Sequence, residues 1–420
     1  MASSSSTAPK LRASRKNEKK ALARVARGSF QLGEQARWER YYEEHPHRRL
    51  ADTRVATIGG TIAGHATALR LQMSLCGADR PLAGIAAVVV LPEFRRRGVA
   101  EALMHDVLHH IRRRKVALSM LYAFRESFYR KFGYGEVEAG DHLRVAPGQL
   151  PASPERTNVR RATARDLPAI RALYERKRAG TTGQLKRTAW WWKMRVLSRA
   201  PEQLVHVDPG TGKVDGYLLF EVPDQPSFPH QLCRVVELRA ERPAAHRGLL
   251  GALEALGEQY TAVELVLPPG DALLVSRHRG IVGQPAGLGP MSPAGFVGGG
   301  AMLRLVRLAD ALAEHPAPAL NGVRGRVGLR IEDPVFEDQC GDFDLTFGPE
   351  GARLARGRRV KERLHLSIDC LAQIHAGQGA ARRLLAMGLI EGSKGSEKAA
   401  DLLDAAFRGP PLYLGPANAF

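Results

Sequence analysis

The chain has 420 residues, of which 44% are hydrophobic and 25% charged, so two or three globular domains fit and wholesale disorder is excluded. It carries 62 Lys and Arg against 43 Asp and Glu, a formal charge of +19, which brings anionic partners into consideration. No zinc-finger spacing and no RNP-type aromatic motif accompanies that charge, so specific nucleic-acid recognition is not expected.

No apolar run approaches the roughly 18 residues of a membrane span. The opening MASSSSTAPKLRASRKNEKK has no apolar stretch, so no secretory leader is read there. Cys76, Cys233, Cys340 and Cys370 lie at least 30 residues apart and form no CxxC pair. That spacing predicts no metal ribbon and no disulfide scaffold, and it suits a reducing, cytoplasmic setting.

In chain order, residues 1–22 read as a disordered basic tail. The first folded block spans 23–150. Its Ala86–Val90 run, AAVVV, predicts a buried strand. A basic loop follows Pro92, and a helix is expected from about Gly98 to Arg114. Leu103, Val107 and Ile111 form one apolar stripe along it. VALSMLYAF (116–124) predicts a strand, then a short helix over Ser127–Lys131 closing at Gly133.

The second block, 151–300, opens with a helix capped by Thr163 and Asp166 and started by Leu167–Pro168. Strands over 214–222 and 234–240, a helix over 248–259 and a strand over 262–268 repeat the order of the first block. Arg97-Gly98 aligns with Arg247-Gly248, and Phe132-Gly133 with Arg279-Gly280. Gly298, Gly299 and Gly300 read as a break. The third block, 301–420, opens with MLRLVRLADALA and predicts an antiparallel α+β unit ending in GPPLYLGPANAF.

The strongest chemical signal is Val88-Val89-Val90-Leu91-Pro92-Glu93-Phe94-Arg95-Arg96-Arg97-Gly98-Val99-Ala100. A strand delivers the chain to a turn, and the turn feeds a helix N-terminus. Free backbone N–H groups and the helix dipole favour an anion there. In R-x-x-G-x-A, Gly98 and Ala100 leave the backbone open to a diphosphate, and the arginines add charge-assisted contacts.

This motif resembles the acetyl-CoA motif of GNAT acyltransferases. Phe128-Tyr129-Arg130-Lys131-Phe132-Gly133-Tyr134-Gly135 resembles the tyrosine motif after the fifth strand of that fold. With a degenerate second unit, a sterol-carrier-like third block and a terminal Asn418-Ala419-Phe420, the chain resembles the Eis family of N-acetyltransferases from about residue 23 onward.

The resemblance implies an α/β (α+β) fold: tandem GNAT domains, the second degenerate, then a sterol-carrier-like domain. It implies that Val88, Val89 and Val90 pair with the pantetheine arm as an added strand would. The diphosphate would be held by Arg95, Arg96, Arg97, Gly98, Val99, Ala100 and Glu101, and the arm would pass Phe124 and Arg125. Tyr129 would be the general acid for the departing thiolate, and the C-terminal carboxylate of Phe420 the base. A free α-carboxyl is a weak base unless burial raises its pKa.

Further implications are direct transfer without a metal, to aminoglycosides, other polyamines or lysine side chains, and assembly as homo-hexamers. In the second block, Ala245 stands at Arg95's place and Leu250 at Ala100's, and no tyrosine precedes Gly280 as Tyr129 precedes Gly133. One acetyl-CoA site per chain is therefore expected. The competing reading is a lipid carrier or nucleic-acid-associated protein with a relict GNAT unit.

Other candidates read as structural. His105 and His109 share a helix face with Glu101 and Arg112 opposite the Leu103 stripe, without an HExxH glutamate, which reads as a solvated face. Trp190, Trp191 and Trp192 suit interdomain packing better than a substrate mouth. Cys76 lacks a paired histidine in any nucleophile motif.

Overall fold

Three β-sheets organise the chain in a computed structural model that describes residues 8–30, 34–223, 231–273, 295–357, 359–377, 379–392 and 395–420. Strands β1 (Lys10–Ala13), β2 (Thr53–Ile58), β3 (Thr61–Leu75), β4 (Ala78–Val90), β5 (Leu118–Tyr122) and β6 (Gly135–Glu136) begin the first sheet. Next come β7 (Ala139–Val145), β8 (Val159–Arg161), β9 (Glu202–Val207), β10 (Val214–Glu221), β11 (Gln231–Ala240), β12 (Tyr260–Leu267) and β13 (Gly295–Gly299). After β14 (Ala301–Leu305), the strands β15 (Gly325–Glu332), β16 (Gly341–Gly348), β17 (Gly351–Arg356), β18 (Arg363–Ser367) and β19 (Glu391–Gly392) complete the set.

The first sheet has the order β1-β2-β3-β4-β5-β14-β6, the second β13-β7-β12-β11-β10-β9-β8, and the third β17-β16-β15-β18-β19. Strands are exchanged between the sheets of neighbouring blocks. β7 leaves the first block to pair with β12, and β14 returns to pair with β5 and β6. The two crossings lie side by side. Val137 and Glu138 donate backbone N–H to the Ala301 carbonyl, and Gly300 donates to that of Glu138. A Cβ on Gly300 would stand 2.5 Å from Glu138 Oε2. The glycine run read as a break is thus a crossing point between two sheets that needs a bare residue.

The expected disorder over residues 1–22 fails from Lys10 onward. Lys10–Ala13 pair antiparallel with Ala13↔Arg54 to Lys10↔Thr57 as an edge strand, and Arg12 is paired with Glu18. Four residues with two cations carry no readable periodicity, and charged side chains are usual on an edge. Helix α1 (Lys19–Phe30) follows, then α2 (Gln35–Glu44). Both pack on the face of the first sheet opposite α3 (Val99–Arg113).

α3 forms where expected. It buries Val99, Leu103, Met104, Val107, Leu108 and Ile111 against the sheet, each contributing about 1.5–3 kcal/mol. Its other side is the solvated face that was expected, with Glu101 and His109 exposed, and it also carries contacts. The His105 ring lies 5.3 Å from Phe132 and that of His109 5.2 Å from Phe336, while Arg112 pairs with Asp338. α4 (Glu126–Arg130) and α5 (Leu167–Arg178) also match their expected places. The Asp166 carboxylate accepts from the Thr163 amide at 2.8 Å, closing the predicted cap.

In the second block, the alignment of Arg247-Gly248 with Arg97-Gly98 is corrected. Helix α6 runs Pro243–Glu254, so Gly248 is mid-helix. It is glycine because a Cβ there would meet the Glu155 carbonyl at 2.9 Å and His206 at 2.8 Å. Ala245 and Leu250 are likewise buried helix positions rather than counterparts of Arg95 and Ala100. Only Glu241 and Arg242 separate β11 from α6, against eight residues between β4 and α3. Arg279-Gly280 lie outside the described residues. The third sheet is covered by helices Ile368–His375, Ala380–Ala386 and Ser396–Ala406. Val327, Leu329, Phe343, Leu345, Leu371, Leu403 and Phe407 fill the space between.

Candidate active site at the fork of the first sheet

Strands β4 and β5 run parallel only through Leu82↔Leu118, Ala83↔Ser119 and Gly84↔Met120. Beyond that point they part. β4 continues along β3, with His65↔Val89 and Gly64↔Val90. β5 continues along β14 to Tyr122↔Ala301. The pairing of β3 and β4 shifts register between His65 and Thr67, and Ala87 takes a left-handed φ of 52°. This bulge bends β4 away from its neighbour. Val88 and Val90 are half-buried and Val89 buried, on a strand whose β5-facing edge has been freed. A ligand with amide groups can add to such an edge as a strand does.

Past β4, the short turn Pro92–Phe94 leads into the arginine loop. Arg96 (φ 59°) and Gly98 (φ 72°) are both left-handed, with Arg97 between them. Left-handed residues this close gather successive N–H groups into an anion-binding concavity, and Gly98 is the N-cap of α3. The first intrahelical bond runs from the Ala102 amide to the Gly98 carbonyl at 3.0 Å. The amides of Val99, Ala100 and Glu101 therefore lie at the helix N-terminus without intrahelical acceptors. A Cβ on Gly98 would meet nothing within 4 Å, so the space over the turn fits a diphosphate.

The three arginines differ. Arg96 is exposed, and the Arg97 guanidinium stands 5.5 Å from the Phe94 ring centroid. Arg95 is a strut: its Nε donates to the Val90 carbonyl at 3.3 Å and its Nη2 to that of Ser29 at 3.4 Å.

Tyr129 sits in α4 on the α3 side of the sheet, 3% exposed, edge-on to Phe124, Phe128 and Tyr134. Burial pushes its phenol up to about 12. Tyr134 is the structural tyrosine of the motif, fully buried with its hydroxyl 2.7 Å from Ser119 Oγ. Phe124 is 78% exposed at the loop where the strands part, followed by Arg125 as the N-cap of α4.

Phe420 reaches the same fork from the opposite face. Its ring lies 5.9 Å from that of Tyr122 and packs against Gly84. The tail before it is held by a network that the sequence does not advertise. The Asn418 amide donates to Gln184 Oε1 at 2.9 Å and to the Leu414 carbonyl at 2.7 Å, while its oxygen accepts from Arg187 Nε at 2.9 Å. Arg187 is itself clamped by Glu237 at 2.8 and 2.9 Å and lies 3.8 Å from the Tyr174 ring. Trp191 Nε1 donates to the Ala417 carbonyl at 3.1 Å, and Arg199 to that of Pro416 at 3.1 Å. Glu138 Oε1 accepts from the amides of Leu414 and Gly415 at 2.8 and 3.2 Å.

Trp191 and Trp192 are buried as the packing reading expected, and Trp190 is half-buried. Cys76 is half-buried with its amide bonded to Thr182, and burial pushes its thiol up, which disfavours a nucleophilic thiolate.

A cavity of about 480 Å³ opens beside Tyr122, Gly300 and Ala419. Its charged lining alternates along the second sheet. Glu264 faces Arg144 at 3.4 Å and Arg234 at 3.2 Å, and Glu221 pairs with Arg234 at 2.8 Å. Burial first, and then the neighbouring Glu138 carboxylate, push the Tyr122 phenol well above its usual range. Glu138, Tyr122 and Gly84 were not singled out from the sequence, and only the fold gives them, and Asn418 of the terminal motif, their neighbours.

Comparison with known proteins agrees with this layout. Acetyltransferase (GNAT) domain families match residues 10–137 and 183–286, and a sterol carrier protein domain family matches 308–415. An uncharacterized N-acetyltransferase of Streptomyces avermitilis is 32% identical over 209 residues, 46% of this chain and 50% of that protein. The N-acetyltransferase Eis of Mycobacterium tuberculosis is 29% identical over 232 residues, 51% of this chain and 55% of that protein. These matches span about half the length of both curated relatives. The crystal structure of Eis1 from Mycobacterium abscessus shares the fold over 98% of this chain and 100% of its own, with a TM-score of 0.75 and 20% identity. The chain is thus built of two acetyltransferase (GNAT) domains with exchanged strands, followed by a sterol carrier protein domain, and it is similar to the Eis N-acetyltransferases over about half of its length.

Proposed function

We propose that the first domain transfers an acetyl group from acetyl-CoA to an amine. The observation that carries this is that Phe420 meets Gly84 at the fork, on the same strand β4 that leads into the Arg96–Gly98 concavity.

In this reading the freed edge of Val88–Val90 aligns the pantetheine arm. The amides from Arg96 to Glu101 hold the diphosphate, with Arg96 and Arg97 adding charge, and Phe124 and Arg125 flank the exit of the arm. Tyr129, kept protonated by burial, donates its proton to the sulfur as the neutral amine attacks the carbonyl. A weakly acidic phenol is a suitable donor to a thiolate leaving group. The main-chain carboxylate of Phe420, directly or through one water, takes the proton the amine loses. This role requires that Phe420 carry a free carboxylate, so intact mass of the protein is the first measurement. The second domain binds no acetyl-CoA, because its two-residue link between strand and helix leaves no phosphate loop.

For the acceptor, the lining of the 480 Å³ cavity favours an amine of low charge over a polycation. Its carboxylates Glu221 and Glu264 are already matched by Arg234 and Arg144, and its third, Glu138, accepts from the amides of Ala301, Leu414 and Gly415. A lysine side chain suits that balance better than an aminoglycoside or another polyamine. The four cysteines are free thiols, as a cytoplasmic enzyme would keep them, and no described helix is long and apolar enough to cross a membrane. Assembly as a homo-hexamer is the family-based expectation, to be read by light scattering. The deciding experiment is an acceptor panel scored by CoA release and mass gain. Absence of both with every amine offered would refute the enzyme reading.

A further inference from the structure

A second cavity, of about 260 Å³, lies between α2 and the turn that carries Trp190. Its inner wall is Tyr41, Trp190, Met194 and Arg195, all half-buried. Its rim is Arg37, Arg40 and Glu44, all exposed. Met194 and Arg195 belong to a π-helical turn, Trp192–Val196, a feature concentrated at functional sites.

Three polar atoms of the inner wall are buried without a hydrogen-bond partner among the described residues: Tyr41 Oη, Trp190 Nε1 and Arg195 Nε. Three such orphans on one wall are unusual, since buried polar groups are nearly always paired. Arg195 is the most demanding. No carboxylate is paired with it among the described residues; its half-buried guanidinium has the Trp191 ring at 5.8 Å, and a cation so placed favours an anion beside it. Burial, reinforced by Arg199 and Arg37, lowers its pKa against the opposing pull of Tyr41. The lining holds three cations and one anion, so it repels an ammonium and attracts an anion. All three orphans can donate a hydrogen bond, as a carboxylate requires. The indole of Trp190 and the thioether of Met194 add a flat, polarizable surface.

We propose that this cleft binds a small anionic ligand with a planar apolar body, of the aromatic carboxylate class, through the donors of Tyr41, Trp190 and Arg195. The site is separate in chemistry from the amine-acceptor cavity and independent of whether acetyl transfer occurs. It joins two domains, because α2 belongs to the first and the Trp190 turn to the second. The His45 ring already lies 4.3 Å from that of Trp190, tilted by 51°, and His47 lies 3.3 Å from Thr188 across the same seam. A bound ligand would reinforce that seam.

The test uses the full chain with benzoate as probe, and benzylamine and inorganic phosphate as comparators, read by tryptophan fluorescence and calorimetry. Saturable one-to-one binding of benzoate is expected, with weaker phosphate binding and none of benzylamine. Arg195→Met should lower benzoate affinity at least tenfold while raising or preserving Tm, since it removes a half-buried charge with no carboxylate beside it. Arg37→Ala on the exposed rim should leave Tm unchanged and lower the affinity a few-fold. The proposal is overturned if benzoate does not saturate or if Arg195→Met and Arg37→Ala bind it as the parent does. It is also overturned if phosphate binds as well as benzoate, or if Arg195→Glu changes only the oligomeric state, which would make the cleft an interface between copies.

Discussion

A Cβ placed on Gly84 would stand 2.8 Å from Cε2 of Phe420 and 2.6 Å from Cδ1 of Leu71. Gly84 is the last residue of β4 paired with β5, so the missing side chain lets the terminal ring rest at the mouth of the fork. Gly84→Ala should push that ring out. We expect kcat to fall about tenfold or more, with acetyl-CoA affinity within a few-fold by calorimetry. Unchanged kcat would show that the position of Phe420 does not matter to turnover.

Residues appended after Phe420 should cripple turnover, because they move the carboxylate out of the fork. Deleting Phe420 shortens the tail by roughly 3.3 Å, beyond the hydrogen-bond reach that proton transfer requires. Asn418→Ala should act similarly, since it removes the bonds to Gln184, Arg187 and Leu414, each worth about 0.5–1.5 kcal/mol. All three variants should still bind acetyl-CoA. Full turnover in an extended, unprocessed protein would eliminate the terminal carboxylate as base.

Tyr129→Phe retains the ring contacts with Phe124, Phe128 and Tyr134 and removes only the proton. It should lower kcat by about 10²-fold or more with little change in acetyl-CoA affinity. Burial holds this phenol at about 12, so its proton is present throughout the neutral range. The pH profile of kcat should therefore show no alkaline limb from Tyr129 below about pH 11. The same shift makes the folded state lose stability as pH rises from the unfolded value near 10 toward 12. A loss of activity with an apparent pKa between 8 and 9 that disappears in Tyr129→Phe would contradict this assignment.

Gly98→Glu combines two penalties. A left-handed φ of 72° is unfavourable for any residue with a Cβ, and the carboxylate would occupy the space assigned to the diphosphate. Acetyl-CoA binding should become undetectable by calorimetry, with a fall in Tm of only a few degrees. Two equivalent acetyl-CoA sites per parent chain in the same titration would overturn the single-site reading.

The segment from β4 to α3 was legible because each of its signals is local. A β-branched run makes the strand, a glycine at positive φ caps the helix, and Leu103, Val107 and Ile111 repeat at helical spacing. The second block was read out of frame because a short Arg-Gly match outweighed Pro243, which starts the helix. The glycine at 248 serves close packing on Glu155 instead of a phosphate turn.

Sequence alone determined the three-block order, the arginine loop with its capping glycine, and the tyrosine helix, since these depend on residues within a few positions of one another. Tertiary structure alone decided that β7 and β14 exchange sheets, because a short apolar strand suits either sheet until its edge partners exist. It also decided where Phe420 lies. Asn418 is held by residues 231 and 234 positions away, and the Gly84 surface that receives the ring forms only once β4 has parted from β5. Pairings at that separation leave no periodicity in the chain, so they become visible only when folding brings the partners together.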